Sequence, residues 1–275
     1  MKKAVYIFLA AAMVLAGACK KDVFNYGGEK DNTGVLSFAG LTLEVSEDVN
    51  KVATRADAAG DEYTIYLYDG SEKLLLKKTY GEVRGEGEIT LPAGTYRLDA
   101  RSSDTAVPRA KFNAPVYGTS RKVDIKAGEK TTLEPLTCTL LQAVVTVGYN
   151  DAFLESVTGN GVATVELTAG YPLEYNLTYS GGAANYDRRL GYFAVNGDNS
   201  TLALTFKGSV DGKTQKMKTT ITGVRARNWH IITIMKKVDE TGNATFAVEI
   251  DGLVEDLELD NDVTAEEKGD GYEPN

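Results

Sequence analysis

Apolar and polar side chains alternate with a period of two along nearly the whole chain, and that alternation confines it to β-structure. Tyr63-Thr64-Ile65-Tyr66-Leu67-Tyr68 is a clear case, closed by the turn pair Asp69-Gly70. Val35–Val45 reads as a strand bent at Gly40, with Val35, Ala39, Leu41, Leu43 and Val45 on one face. Lys73–Tyr80, Gly87–Leu91, Thr95–Ala100, Lys122–Lys126 and Thr131–Leu136 follow, with Pro92-Ala93-Gly94 and Ala127-Gly128-Glu129 as turns. A second set runs through Leu140–Tyr149, Val162–Thr168, Leu173–Tyr179, Leu190–Val195, Thr201–Lys207, Gln215–Thr222, His230–Met235 and Ala244–Ile250. Asp151–Val157 fits a short helix, and no longer stretch carries a helical period away from the first residues. The expected fold is all-β, with two tandem β-sandwich domains over 35–138 and 139–254.

The chain opens MKKAVYIFLAAAMVLAGAC. Lys2 and Lys3 precede an apolar run from Ala4 to Ala18, too short for a comfortable membrane span and suited to a signal peptide over 1–18. Its end, Leu15-Ala16-Gly17-Ala18-Cys19, resembles the lipobox of bacterial lipoproteins, with Ala16 where Leu is commoner. The resemblance implies that Cys19 is acylated, palmitate being the typical chain, and holds the protein to the outer membrane or cell surface. Two or more such chains anchor stably, at roughly 0.8 kcal/mol per buried CH2. Lys20-Lys21-Asp22 resembles the surface-export signals of Bacteroidetes lipoproteins, and the polar residues 19–34 read as a tether.

Composition excludes more than it proposes. A net charge of −9 argues against a nucleic-acid partner, which needs clustered Lys and Arg. Nine acidic residues and one Lys place −8 of that charge in the tail 255–275. A solvated tail explains this; equally, Leu253, Leu257, Leu259 and Val263 would form the apolar side of one more strand over Leu253–Val263. One His and two Cys leave no His/Cys zinc site, and Asp260-Asn261-Asp262 lacks the Gly and bidentate Glu of a calcium loop. No cofactor and no metal site is expected. Without a nucleophile elbow, P-loop, HExxH or CxxC, no catalytic residue is expected either. His230 lies in a strand, where a core or edge role is expected, and Cys138 in an apolar run that suits a buried, inert thiol.

Among 15 Tyr, those at 171, 175 and 179 share a face with Leu173 and Leu177, the pattern of a strand packing inward. Tyr66 and Tyr68 lie opposite Ile65 and Leu67 and are the more exposed candidates for stacking a sugar. Asp104-Thr105-Ala106 resembles a Bacteroidetes O-glycosylation site, which makes Thr105 a candidate for modification.

Several short motifs coincide. After the lipobox, tether and first strand come Val52-Ala53-Thr54-Arg55-Ala56-Asp57, then Leu91-Pro92-Ala93-Gly94-Thr95-Tyr96-Arg97-Leu98-Asp99-Ala100, Phe112-Asn113-Ala114-Pro115-Val116-Tyr117-Gly118, and Ala127-Gly128. From about residue 34 to 250 the chain resembles the fimbrillin-like surface lipoproteins of Bacteroidetes, relatives of the type V pilins. The resemblance implies two transthyretin-like, Greek-key sandwiches, and work in adhesion or pilus assembly beside subunits of like fold. In such pilins a protease cuts after an Arg in the loop behind the first strand. Here that bond is Arg55–Ala56, in the small polar loop Glu47–Glu62. Cutting it would release Val35–Val45 with the lipid and open a groove for a strand from a neighbour. Refilling the groove would bury about four or five apolar side chains, on the order of 6–15 kcal/mol gross. Leu253–Val263 is a candidate donor with an unusually acidic face. Two readings stay open at Arg55, a cut subunit or a whole chain tethered by Cys19. The alternative is a surface glycan-binding lipoprotein that assists polysaccharide uptake, and a host or glycan ligand is a candidate partner.

Overall fold

A computed structural model of the chain describes residues 32–46, 48–49, 52–53, 60–167, 170–197, 200–238, 244–256 and 258–259. The expected signal peptide, Cys19, Arg55, Ala56 and all of the tail past residue 259 lie outside the described residues. The fold is all-β. A three-stranded sheet runs Lys130–Thr132, Thr33–Ser37, Glu88–Pro92. It faces a six-stranded sheet ordered Leu43–Val45, Leu136–Leu140, Tyr117–Ile125, Gly94–Arg101, Thr64–Tyr68, Leu74–Thr79. Leu36, Ile89 and Leu91 from the small sheet meet Ile65, Leu67, Leu98 and Val123 from the large one in a single core, all of them buried.

The second half pairs two six-stranded sheets. One is Leu253–Asp256, Ala244–Ile250, Trp229–Val238, Gln142–Tyr149, Gly191–Ala194, Ala110–Phe112; the other is Ala183–Tyr186, Gly170–Ser180, Val157–Leu167, Ser200–Val210, Lys213–Val224, Glu258–Leu259. Their core is aromatic. Phe153 sits at its centre, 5.1 Å from Tyr149, 5.3 Å from Phe206 and 6.0 Å from Phe246 between ring centroids. It is placed there by the expected short helix, Asp151–Ser156, which Asn150 caps by accepting from the Phe153 N–H at 2.9 Å.

Three sequence expectations are corrected. The strand Val35–Val45 is two strands, Thr33–Ser37 and Leu43–Val45, which belong to different sheets. Leu41 N–H donates to Phe38 O at 3.0 Å, and this turn breaks the period of two. The buried set is therefore Leu36, Phe38, Leu41 and Leu43, while Ala39 is exposed. Thr131–Leu136 likewise splits between the two sheets. Leu253–Val263 does not run as one strand either: Leu253–Asp256 pairs with Ala244–Ile250 and Glu258–Leu259 with Lys213–Val224, and Leu253 is 73% exposed.

Ala110–Phe112 was not expected. It comes from the connection after Gly94–Arg101, yet it forms the edge of a sheet in the second half. Gly191 pairs with Phe112 and Phe193 with Ala110, while Asn113 N–H donates to Leu190 O and Ala194 N–H to Arg109 O, both at 2.9 Å. Phe112 packs edge-on against Tyr175 at 5.0 Å, with the Arg189 guanidinium 3.8 Å over its ring. Beside this strap, Val116 N–H donates to the buried Gln142 side chain at 2.7 Å and Leu141 N–H to Val116 O at 2.9 Å. The halves are thus joined by paired backbone as well as by the chain itself.

Candidate functional site

The site with the most built into it is the seat of residues 33–45. Thr33–Ser37 lies between two strands, parallel to Lys130–Thr132 and antiparallel to Glu88–Pro92. Its backbone is bound on both sides. Val35 N–H donates to Glu129 O at 2.9 Å, Phe38 N–H to Gly87 O at 2.8 Å, and Leu133 N–H to Ser37 O at 2.9 Å. Past the turn, Leu136 N–H donates to Thr42 O at 2.8 Å, and the Tyr80 hydroxyl donates to Leu41 O at 2.9 Å.

Two glycines fix how closely the segment lies. A Cβ on Gly34 would come 2.3 Å from Lys126 O, and one on Gly40 would come 2.4 Å from Leu133 O. Both neighbours are backbone, which does not yield as a flexible side chain would. One polar group of the segment is left unsatisfied. The Ser37 hydroxyl is fully buried and has no hydrogen-bond partner, a penalty of about 1–3 kcal/mol.

The segment is held partly by an element the period of two conceals. Tyr80–Glu86 is a helix whose cap Thr79 accepts from Glu82 N–H, while the Glu82 carboxylate accepts from Thr79 N–H. This pair, Thr79-x-x-Glu82, is a capping box and was the available signal for the helix. The helix presents Tyr80 to Leu41, and its C-terminal Gly87, at φ 79°, supplies the carbonyl that Phe38 binds. The seat holds an extended backbone and a row of apolar side chains.

The candidate sugar contacts are arranged differently from expectation. Tyr66 and Tyr68 do lie opposite Ile65 and Leu67, but Tyr66 is only 6% exposed, which corrects its expected exposure. The neighbouring strand places Arg97, Asp99 and Arg101 on the same face. The Arg101 guanidinium lies 5.0 Å from the Tyr66 centroid and that of Arg97 lies 4.0 Å from Tyr68, while Lys77 Nζ is 5.8 Å from Tyr66. Asp99 Oδ2 accepts from both Arg97 and Arg101, and Arg97 Nε reaches Glu72 at 3.0 Å. Burial pushes the Tyr66 phenol up, against the pull of Arg101. Each ring thus has a guanidinium near it. Arg97-x-Asp99-x-Arg101 on a strand beside Tyr66-x-Tyr68 was the legible sign of this layer.

Thr105 is exposed, as modification requires, with its hydroxyl 2.9 Å from that of Ser103. Tyr175 and Tyr179 pack inward as expected. Tyr171 is 52% exposed at φ 76°, because the pairing shifts register beside it at Glu166/Leu167. Cys138 is fully buried, and burial pushes its thiol up to about 11. His230 is buried with Nδ1 2.9 Å from Asp251 Oδ2, tying its strand to the turn after Ala244–Ile250. Among the described residues no group of three His, Cys, Asp or Glu is placed to hold a metal ion.

A family model, Domain of unknown function (DUF4493), matches residues 32–265. No curated protein matches the chain. Solved structures similar to it include a candidate polysaccharide-binding protein (DUF1812) of Bacteroides thetaiotaomicron, at 13% identity and TM-score 0.44, covering 82% of this chain and 98% of that one. A candidate adhesin of Bacteroides ovatus is similar at 10% identity and TM-score 0.44, covering 82% and 95%. A candidate cell-adhesion protein of Bacteroides eggerthii is similar at 9% identity and TM-score 0.40, covering 82% and 98%.

Proposed function

For this chain, which belongs to the DUF4493 family, we propose a non-enzymatic, lipid-anchored protein of the cell surface that serves adhesion through fimbria-like assembly. The reading rests on one observation: Thr33–Ser37, which follows Cys19 in the chain, is the central strand of the first sandwich's small sheet. Anchor and plug are then one piece of chain. The uncut molecule stays tethered and closed. A cut at Arg55–Ala56 frees the piece, with Leu36, Phe38, Leu41 and Leu43, and leaves strands Lys130–Thr132 and Glu88–Pro92 with unpaired edges. A strand from a second subunit then completes the sheet.

The unpartnered Ser37 hydroxyl supports this reading, since a donor with an apolar residue there would seat more firmly. Mass spectrometry of the protein taken from cells tests it. The expected result is acylated Cys19 on the unassembled chain and an N-terminus at Ala56 in assembled material. An uncut chain that stays a monodisperse monomer under all growth conditions would overturn the assembly role.

A further inference from the structure

Glycine inside a strand weakens it, and it usually marks a bulge, the close approach of another backbone, or a ligand. Most strand glycines here have a packing reason. An added Cβ would lie 2.8 Å from Ala100 O at Gly118, 2.2 Å from the Tyr175 hydroxyl at Gly191 and 2.8 Å from Gly161 Cα at Gly208. Gly148 has none. It lies within Gln142–Tyr149, its φ is not positive, and the register with Trp229–Val238 runs unbroken from Val144 to Tyr149. The nearest atoms to an added Cβ, Ile232 O and the Tyr186 hydroxyl, are 3.9 Å away.

What faces Gly148 is a groove of about 300 Å³ on the outer side of the sheet. That is the lower end of the range for small-molecule sites, roughly 300–1,000 Å³. Pairing sets Thr146 beside Ile231 and Gly148 beside Thr233. The floor is therefore two hydroxyl-bearing side chains, an absent one, and Ile231, which is 42% exposed. The groove exists because Gly191–Ala194 pairs with Gln142–Tyr149 only as far as Val145, and the chain before it rises as a wall at Tyr186 and Arg188. The Arg188 guanidinium lies 4.7 Å from the Tyr186 centroid and has no carboxylate partner among the described residues. Its neighbour Arg189 is paired with Asp187.

We infer that the groove over Gly148 is a binding subsite for an acidic sugar residue of the uronic type. An apolar ring face fits against Ile231 and the bare Gly148, the sugar hydroxyls meet Thr146 and Thr233, and the carboxylate pairs with Arg188. A guanidinium held near an aromatic ring is well suited to two-point binding of a carboxylate. Thr146 already accepts from Trp229 Nε1 at 3.1 Å, so its own hydroxyl proton is the one offered to the ligand. The inference is independent of release of residues 32–46, because this sheet contains none of them.

The test uses the full mature chain in affinity electrophoresis and calorimetry against polygalacturonate, alginate and hyaluronan, with fully methyl-esterified polygalacturonate as the uncharged counterpart. Binding to at least one acidic polymer is expected. It should fall tenfold or more in Gly148→Val and in Arg188→Gln, and for polygalacturonate on esterification. Val suits a strand, so an unchanged melting temperature shows that the fold is intact; Gly148→Ala, which meets only ordinary contacts, serves if Val does not fold. The inference is overturned if none of the three acidic polymers binds, if the ester binds as well as the acid, or if Gly148→Val binds as wild type.

Discussion

The two sandwiches are closed in opposite ways. In the first, the middle of the small sheet is filled by Thr33–Ser37, which joins the rest of that sandwich only through the connection between residues 46 and 60. In the second, the central strands Gln142–Tyr149 and Val157–Leu167 have described chain on both sides, and short pieces occupy the edges. Depth of burial does not separate them: Leu36 and Phe38 are 0% and 1% exposed, and Phe153 and Phe206 are 0% and 1%. The difference lies in connectivity. One break in the chain removes a fifth of the buried core residues in the first sandwich and nothing comparable in the second.

The largest test of that contrast is deletion of residues 32–46. It removes Leu36, Phe38, Leu41 and Leu43 from the core, about 6–12 kcal/mol gross at roughly 1.5–3 kcal/mol each. That reaches the stability of a whole domain. Hydrogen exchange should show residues 60–101 and 117–138 unprotected and the strap 110–113 and residues 142–250 protected, with a synthetic peptide of residues 32–46 restoring the first set. Joint loss of protection would erase the distinction.

Phe153→Ala is the converse. It should lower the stability of the second sandwich by about 3–5 kcal/mol, read by denaturant titration, while the first keeps its midpoint. Cys138 reports on the first sandwich alone. Its thiol, raised from 9.0 to about 11, favours the folded state fully below pH 9, and that contribution is lost as pH rises through 11. The loss is about 2–3 kcal/mol, at 1.36 kcal/mol per pH unit. Alkylation at pH 8 should be negligible in the native chain and rapid once residues 32–46 are gone.

Gly40→Ala forces a methyl group onto Leu133 O and should destabilise the first sandwich by about 1–3 kcal/mol. The smallest effect has the opposite sign. Ser37→Ala removes an unpaired buried hydroxyl and should raise the midpoint of the first transition, by about 1 kcal/mol. A fall instead would show that the hydroxyl is satisfied by water.

Most strands were legible because alternation survives wherever one side of a sheet meets a core. The readings failed where the chain changes sheets. At Phe38–Leu41 a turn shifts the parity, and a pattern counted through it puts Ala39 inside and Phe38 outside. Tyr66 failed for another reason. Alternation tells which side of a sheet a residue is on, whereas exposure depends on neighbours such as Arg101 that sit far away in sequence. Ala110–Phe112 gave no local sign at all. Three residues are too few for a period, and their partner, Gly191–Ala194, lies about eighty positions on. The groove at Gly148 was hidden in the same way, since a strand glycine looks alike whether backbone, side chain or ligand comes near it.

The strap at Ala110–Phe112 also bears on how such a gene can be inherited. A crossover at the obvious midpoint would give one product a sheet lacking its border and the other a loop with nothing to lean on. The halves must travel as a pair, and any ancestor built from the second alone needed another way to cover that margin.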